Sequence, residues 1–324
     1  MKKIATQTIN GKAFEYSLLQ KIYSRLKEKT SVSIIQSAAL ITAKNCYDGF
    51  TPLGQQSFDM TASAAINTLI DLEPRLSHDI DSSDCLQLEI LADAEGQSGD
   101  VRDVLAIRSL QKWEIGISAK NNHKAVKHSR LSRDIDFGKK WLNYPCSNTY
   151  FSEIKIIFDV LNDYKIASES TKKWSSLGNY HDTVYLPILN SFKNELWRIC
   201  ELAPEQAARN LVNYLIGSKD FYKVIKGRKK VEIEAYNLHG TLNQSFKSIK
   251  PLYNTKKIKF PDKLIDISFA KNSKTTLIVT LNEGWQISFR IHNASSRIEP
   301  SLKFDINLVS SPSDMFKHTL SVSN

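Results

Sequence analysis

The chain has few of the features that mark a membrane, secreted or nucleotide-driven protein. No apolar run in its 324 residues approaches the roughly 18 to 20 needed to cross a bilayer. Its four cysteines, Cys46, Cys85, Cys146 and Cys200, lie far apart and form no Cys-x-x-Cys pair. Neither a zinc site nor a disulfide framework is expected, only reduced and mostly buried thiols. The opening segment, Met1 to Thr8, carries two lysines with no apolar stretch behind them, so it does not read as a secretory signal. A soluble, cytoplasmic protein is the expectation. Glycine is also scarce, at 12 residues, and forms neither Gly-x-Gly-x-x-Gly nor a P-loop, which argues against dinucleotide or nucleoside-triphosphate chemistry.

Acid is in short supply relative to base. There are 44 Lys and Arg against 34 Asp and Glu, a formal charge of +10. The imbalance is local: residues 1–100 hold 9 bases and 13 acids, whereas residues 101–324 hold 35 and 21. A chain this lopsided suggests a polyanionic partner.

Hydrophobic periodicity divides the chain. Phe14, Leu18, Leu19, Ile22 and Leu26 recur at helical spacing over residues 11–29. Residues 31–45 and 58–73 read as further helices, punctuated by Pro52, Gly54 and Pro74. Residues 86–120 read as two adjacent strands, and residues 123–215 as mostly helical, closed by Gly217. After residue 230 the period changes to two, in Val231–Ala235, Leu264–Phe269, Thr275–Leu281, Trp285–His292 and Leu302–Val309, with a hairpin turn at Asn282-Glu283-Gly284. The expected fold class is α/β with an antiparallel β-rich C-terminal region. The expected division is a catalytic domain over 1–218 and a β-rich region over 219–324.

One hairpin carries chemistry. If the turn after residue 108 centres between Leu110 and Gln111, paired positions place Asp103 opposite Ser118, with Lys120 its diagonal neighbour. Side chains alternate along a strand, so Ser118 and Lys120 share a face. A carboxylate and an ammonium then meet at the end of a sheet, where Mg²⁺ and a water can be held against a phosphodiester. A slip of one residue would break the pairing. Glu114 shares the face but stands about 13 Å along the strand from Ser118. Asp100, before the strand, and Glu15, beside the anchoring Phe14 on the first helix, are further candidate carboxylates. A surface Asp with a neighbouring Lys on an ordinary hairpin is the competing reading.

Gly99–Arg108, Trp113–His123, Ala125–Ser132 and Ile135–Gly138 together resemble the HaeIII-like type II restriction endonucleases. Trp285–Ser296 and Pro300–Ile306 are similar to the same family, so the resemblance spans both halves of the chain. It implies the PD-(D/E)xK fold, a mixed central sheet flanked by helices. It also implies Mg²⁺-dependent cleavage of double-stranded DNA at a short palindrome, for which GGCC is the family's target, inside a bacterial cell. Asp103 matches the family's first metal-binding acid and Lys120 its motif lysine. The second acid should stand two residues before the lysine, and here that residue is Ser118. Asp100, Glu114 or Glu15 would then complete the metal shell, and Glu substitution from a helix within the wider fold favours Glu15.

Candidate DNA contacts follow from charge. Residues 112–140 hold 8 Lys and Arg against 3 acids, and Asn121, His123, Lys124, Lys127, His128 and Arg130 are positioned to meet phosphates. A second basic zone, 219–274, holds 14 against 5. Arg290, His292 and Asn293 end a hairpin able to enter a major groove. An Arg-His-Asn corner that merely holds the β-rich region together is the rival explanation. A palindromic target suggests a symmetric dimer. Pro145-Cys146 matches the nucleophile dipeptide of cytosine methyltransferases, but no glycine-rich cofactor loop accompanies it. A repair or RNA nuclease of the same fold, and a noncatalytic DNA-binding protein, are the alternatives to a restriction enzyme.

Overall fold

A computed structural model describes residues 6–92, 100–122, 125–167 and 172–322. Among these, no helix is long and apolar enough to cross a membrane. The chain is α/β and forms two compact units. The first comprises 1–124, 217–258 and 314–324; the second comprises 125–216 and 259–313. A linear cut between 218 and 219 therefore does not describe it. Strands from 221–236 belong to the first unit because they pair with its sheet, and residues 125–216 belong to the second.

In the first unit, helix α1 (Thr6–Leu26) leads to strand β1 (Val32–Ile34), helices α2 (Ala38–Asp48) and α3 (Pro52–Leu72), and a single turn α4 (Pro74–Ser77). The expected helix over 31–45 thus begins as a short strand. Ser37 then starts α2 by accepting the Leu40 N–H, and Thr51 does the same for α3 from Gly54, with Pro52 in the first turn. Strands β2 (Leu86–Ile90), β3 (Val104–Arg108) and β4 (Trp113–Asn121) follow, three where two were expected. The chain returns to this unit as β6 (Phe221–Lys226), β7 (Lys230–Tyr236) and, last, β12 (Lys317–Ser321).

The seven strands run β1-β2-β3-β4-β6-β7-β12, a mixed sheet in which β1/β2 and β4/β6 are parallel. The β3/β4 register pairs Val104 with Ile117 and Leu105 with Gly116, the register that a turn centred at 110/111 gives. Alternation then divides β4. Ile115, Ile117 and Ala119 join one core with Phe14 and Leu18 of α1 and Ile66 and Leu69 of α3. Full burial of each such side chain contributes about 1.5–3 kcal/mol. Ser118 and Lys120 occupy the opposite phase.

In the second unit, strand β5 (Ala125–Ser132) precedes helices α5 (Asn148–Ala167), α6 (Leu186–Leu202) and α7 (Pro204–Ile216). Strands β8 (Leu264–Phe269), β9 (Thr276–Leu281), β10 (Gln286–Asn293) and β11 (Ser301–Ser310) complete an antiparallel sheet ordered β5-β11-β10-β9-β8. Residues 125–132 are therefore a strand, contrary to the helical expectation. Phe289 and Phe304 on this sheet pack against Phe192 of α6, with ring centroids 5.5 and 5.0 Å away. Gly217 ends α7 at a φ of +86°.

Candidate active site

Asp103 sits one residue before β3, where its backbone N–H still bonds to Ile117 O at 2.8 Å. That bond holds it against β4, and three donors from β4 converge on one carboxylate oxygen. Oδ2 accepts the Ala119 N–H at 2.7 Å, the Ser118 hydroxyl at 3.3 Å and the Lys120 ammonium at 3.3 Å. Among the described residues no donor is bonded to Oδ1. Ser118 is buried, while the side chains of Asp103 and Lys120 stay about a quarter exposed, at 23% and 26%. The pair is thus fixed from beneath and open to a ligand.

Glu15 arrives from α1. The helix is anchored by Phe14, and Glu15 itself is 5% exposed. Lys12, one turn earlier, places its ammonium 2.9 Å from Glu15 Oε2. Burial, and then the negative charge of Asp103, push the Glu15 carboxyl up to about 7, against the pull of Lys12 and Lys120. Two carboxylates and two ammonium groups therefore share one neighbourhood. Lys12 was not singled out from sequence; its signal was the i,i+3 spacing to Glu15 on a buried helical face.

Such a site fits a hard divalent cation. Glu15 is a buried acid whose charge is disfavoured and whose electrostatic neighbour is a second acid, the arrangement a cation relieves. Mg²⁺ is commonly held by one or two carboxylates, with waters and substrate phosphate completing its shell. Among the described residues there is no group of three or more His, Cys, Asp or Glu arranged for a metal.

Asp100 and Glu114 are engaged elsewhere. Arg102 binds Asp100 through Nε and Nη2, at 2.9 and 2.7 Å, and Glu114 through Nη1 at 2.9 Å; Lys219 adds a 3.3 Å contact to Glu114. Burial alone would raise both carboxyls, but the Arg102 bonds outweigh it and hold both below the usual carboxylate range. Arg102 reaches them by lying directly over Gly116, where any Cβ would meet its Cδ at 2.0 Å. Of the three candidate acids, Glu15 is the one whose carboxyl feels the Asp103 charge.

The candidate DNA contacts divide in the same way. His123 and Lys124 lie outside the described residues. Asn121 ends β4, half-buried. Lys127 is a structural lysine: its ammonium donates to Tyr214 O at 2.8 Å and stands 3.9 Å from that ring's centre. His128, Arg130, Arg290 and His292 lie on neighbouring strands of the five-stranded sheet. Arg290, His128 and His292 contact Asp305 at 2.5, 2.8 and 3.2 Å, and Arg130 bonds Ser301 at 3.0 Å. Asn293 turns inward to the Ser295 carbonyl and the Tyr185 hydroxyl. Cys146, of the Pro-Cys dipeptide, is buried, and burial pushes its thiol far up. It is not a nucleophile in this state.

The family model described as HaeIII restriction endonuclease matches residues 11–312. The chain is 39% identical over 305 residues to the type II restriction enzyme HaeIII of Haemophilus aegyptius, covering 94% of both chains. No solved structure matches it. The chain belongs to the HaeIII restriction endonuclease family.

Proposed function

We propose that this protein is a type II restriction endonuclease that hydrolyses double-stranded DNA with Mg²⁺, leaving 5′-phosphate and 3′-hydroxyl ends. The observation that carries the reading is the part-exposed Asp103–Lys120 pair, 3.3 Å apart, with the buried Glu15 carboxyl near enough to feel both charges, in a chain of this family. Asp103 and Glu15 would hold the metal through carboxylate oxygens. Bound there, Mg²⁺ supplies Lewis-acid polarisation of a phosphoryl oxygen and a more acidic water.

The protein's own groups do the positioning. Ser118 and the Ala119 N–H fix the Asp103 carboxylate, so that it need not reorganise when substrate arrives. Lys12 does the same for Glu15. The Lys120 ammonium orients the attacking water and offsets negative charge that builds on the phosphate. Water attacks phosphorus and gives its proton to bulk water, the bond to the 3′ oxygen breaks, and that oxygen takes a proton from solvent and leaves as a hydroxyl. Ser118 cannot replace the family's second acid, because a hydroxyl carries no charge; Glu15 replaces it from the helix.

The proposed target is a short palindrome, GGCC by descent, cut by a symmetric dimer in the bacterial cytoplasm. Incubating plasmid DNA with the protein and Mg²⁺, then sequencing the fragment ends, tests activity, target and end chemistry together. Discrete fragments with 5′-phosphates are expected. A plasmid left whole, or a random smear, would reject the assignment; a structure-selective nuclease would also leave a plain duplex uncut.

A further inference from the structure

We infer that the outward face of strands β5, β11 and β10 is a docking surface for the sugar–phosphate backbone of double-stranded DNA. This rests on the nuclease reading, and says where on the second unit the duplex is gripped. In the sequence His128 and Arg130 lie far from Arg290 and His292. The sheet makes them neighbours: Asp305 on β11 stands opposite His128 on β5 and Arg290 on β10, and Lys303 stands opposite Arg130 and His292.

The phase is settled by burial. Leu131, Phe289, Ile291, Leu302, Phe304 and Ile306 face the core, so the alternate positions face outward. Two rows result, Arg130–Lys303–His292 and His128–Asp305–Arg290, about 6.6 Å apart along each strand and with about 4.8 Å between strands. The side chains of Arg290, His128 and Arg130 are 58%, 53% and 51% exposed.

This face is more than a scatter of solvated charges, because one carboxylate organises it. Asp305, only 18% exposed, contacts Arg290, His128 and His292. It fixes three long or planar side chains before any ligand arrives, which lowers the ordering cost of binding. Lys303 has no acid opposite it on either neighbouring strand. Beyond β10, Arg297 is bridged by its backbone to Lys173, adding two more cations at the end of the sheet. Glu299 stands 3.9 Å from Arg130, so five cations, Arg130, Lys173, Arg290, Arg297 and Lys303, outweigh two acids, Asp305 and Glu299. A regular, preordered, net-positive face is complementary to a polyanion of regular spacing. The strand carrying Lys120 also leads, after residues 122–124, into the strand carrying His128 and Arg130.

The test is anisotropy of a fluorescein-labelled DNA duplex lacking GGCC, in EDTA, over about 50 to 200 mM salt. Replacing Arg130, Arg290 and Lys303 together by Ala should weaken binding and lower the slope of log affinity against log salt by about 1 per lost contact. Asp305→Asn keeps the side-chain shape and an acceptor oxygen for Arg290, so that the ordering of Arg290 survives, but it removes a negative charge. It should bind the same duplex more tightly, a gain that misfolding does not produce. If both variants bind as wild type does while wild type still cuts plasmid, this surface is wrong and the nuclease reading stands. If wild type neither binds nor cuts duplex DNA, that reading falls as well. Variants that alter binding of an RNA duplex but not of DNA would overturn the choice of partner.

Discussion

Lys12→Met removes an ammonium but keeps its aliphatic stem, and its effect can be worked from the Glu15 environment. Stripping one partner from a buried ion pair ordinarily costs about 3–5 kcal/mol, because the other charge is stranded. Glu15 has an escape. Its carboxyl already titrates at about 7, so it can take up a proton instead of standing alone. The loss is then capped by the cost of protonation, about 1.4 kcal/mol at pH 8, about twice that at pH 9 and close to zero at pH 6. The sign follows from linkage. Removing Lys12 raises the folded-state value further, so stability falls as pH rises and is restored as pH falls below 7. Urea unfolding of wild type, Lys12→Met, Glu15→Gln and the double variant at pH 6 and pH 8 measures it. In the Glu15→Gln background Lys12→Met should lose its pH dependence. A loss equal at both pH values, or one that persists unchanged without the carboxylate, would show that Lys12 acts by packing and not by holding Glu15.

Glu73 offers an independent pH test. It is fully buried, accepts the Tyr222 hydroxyl and the Asn243 N–H on Oε1, and burial pushes its carboxyl up to about 7. Because the folded value lies above the unfolded one, its contribution is complete below pH 4.5 and is lost as pH rises through 7, by about 3 kcal/mol in all; Glu73→Gln should flatten that part of the urea-midpoint profile, and an unchanged profile would exclude Glu73 as its source. Lys120→Ala should lower the single-turnover cleavage rate about 100- to 1,000-fold, the usual cost of one preorganised charge-stabilising donor, while duplex affinity measured without metal changes little. Near-wild-type cleavage by that variant would remove Lys120 from the mechanism.

Much of the hairpin that carries Asp103 and Lys120 was legible because it is local. The turn at 110/111 fixes the β3/β4 register, and alternation then dictates that Ser118 and Lys120 share a face beside Asp103. The Asn282-Glu283-Gly284 turn was legible for the same reason; Glu283 and Gly284 both adopt positive φ, at 57° and 82°. Strand β5 was not. Its Lys-His-Ser-Arg run shows weak apolar alternation, and its partner β11 lies far along the chain, so nothing local marks it. Strand β6 was hidden because all six of its residues are buried, including Lys223 and Lys226. Lys226 is satisfied by Ser57 Oγ at 3.0 Å, a partner no local pattern reveals.

The second acid shows where the limit lay. Strand spacing set Glu114 about 13 Å from Ser118 and left Asp100 and Glu15 open, with only the family resemblance favouring Glu15. What separates them is Arg102, whose guanidinium binds Asp100 and Glu114 across the close approach at Gly116. That selection depends on side-chain reach in three dimensions, not on strand periodicity.

The account turns on Asp103 and Glu15 sharing one divalent cation. Calorimetric titration of the metal-free protein with Mg²⁺ at pH 8, without DNA, addresses that directly for wild type, Asp103→Asn and Glu15→Gln. One binding site in wild type, lost or severely weakened in each variant, is the predicted result. A Glu15→Gln protein that binds the ion as wild type does would contradict it.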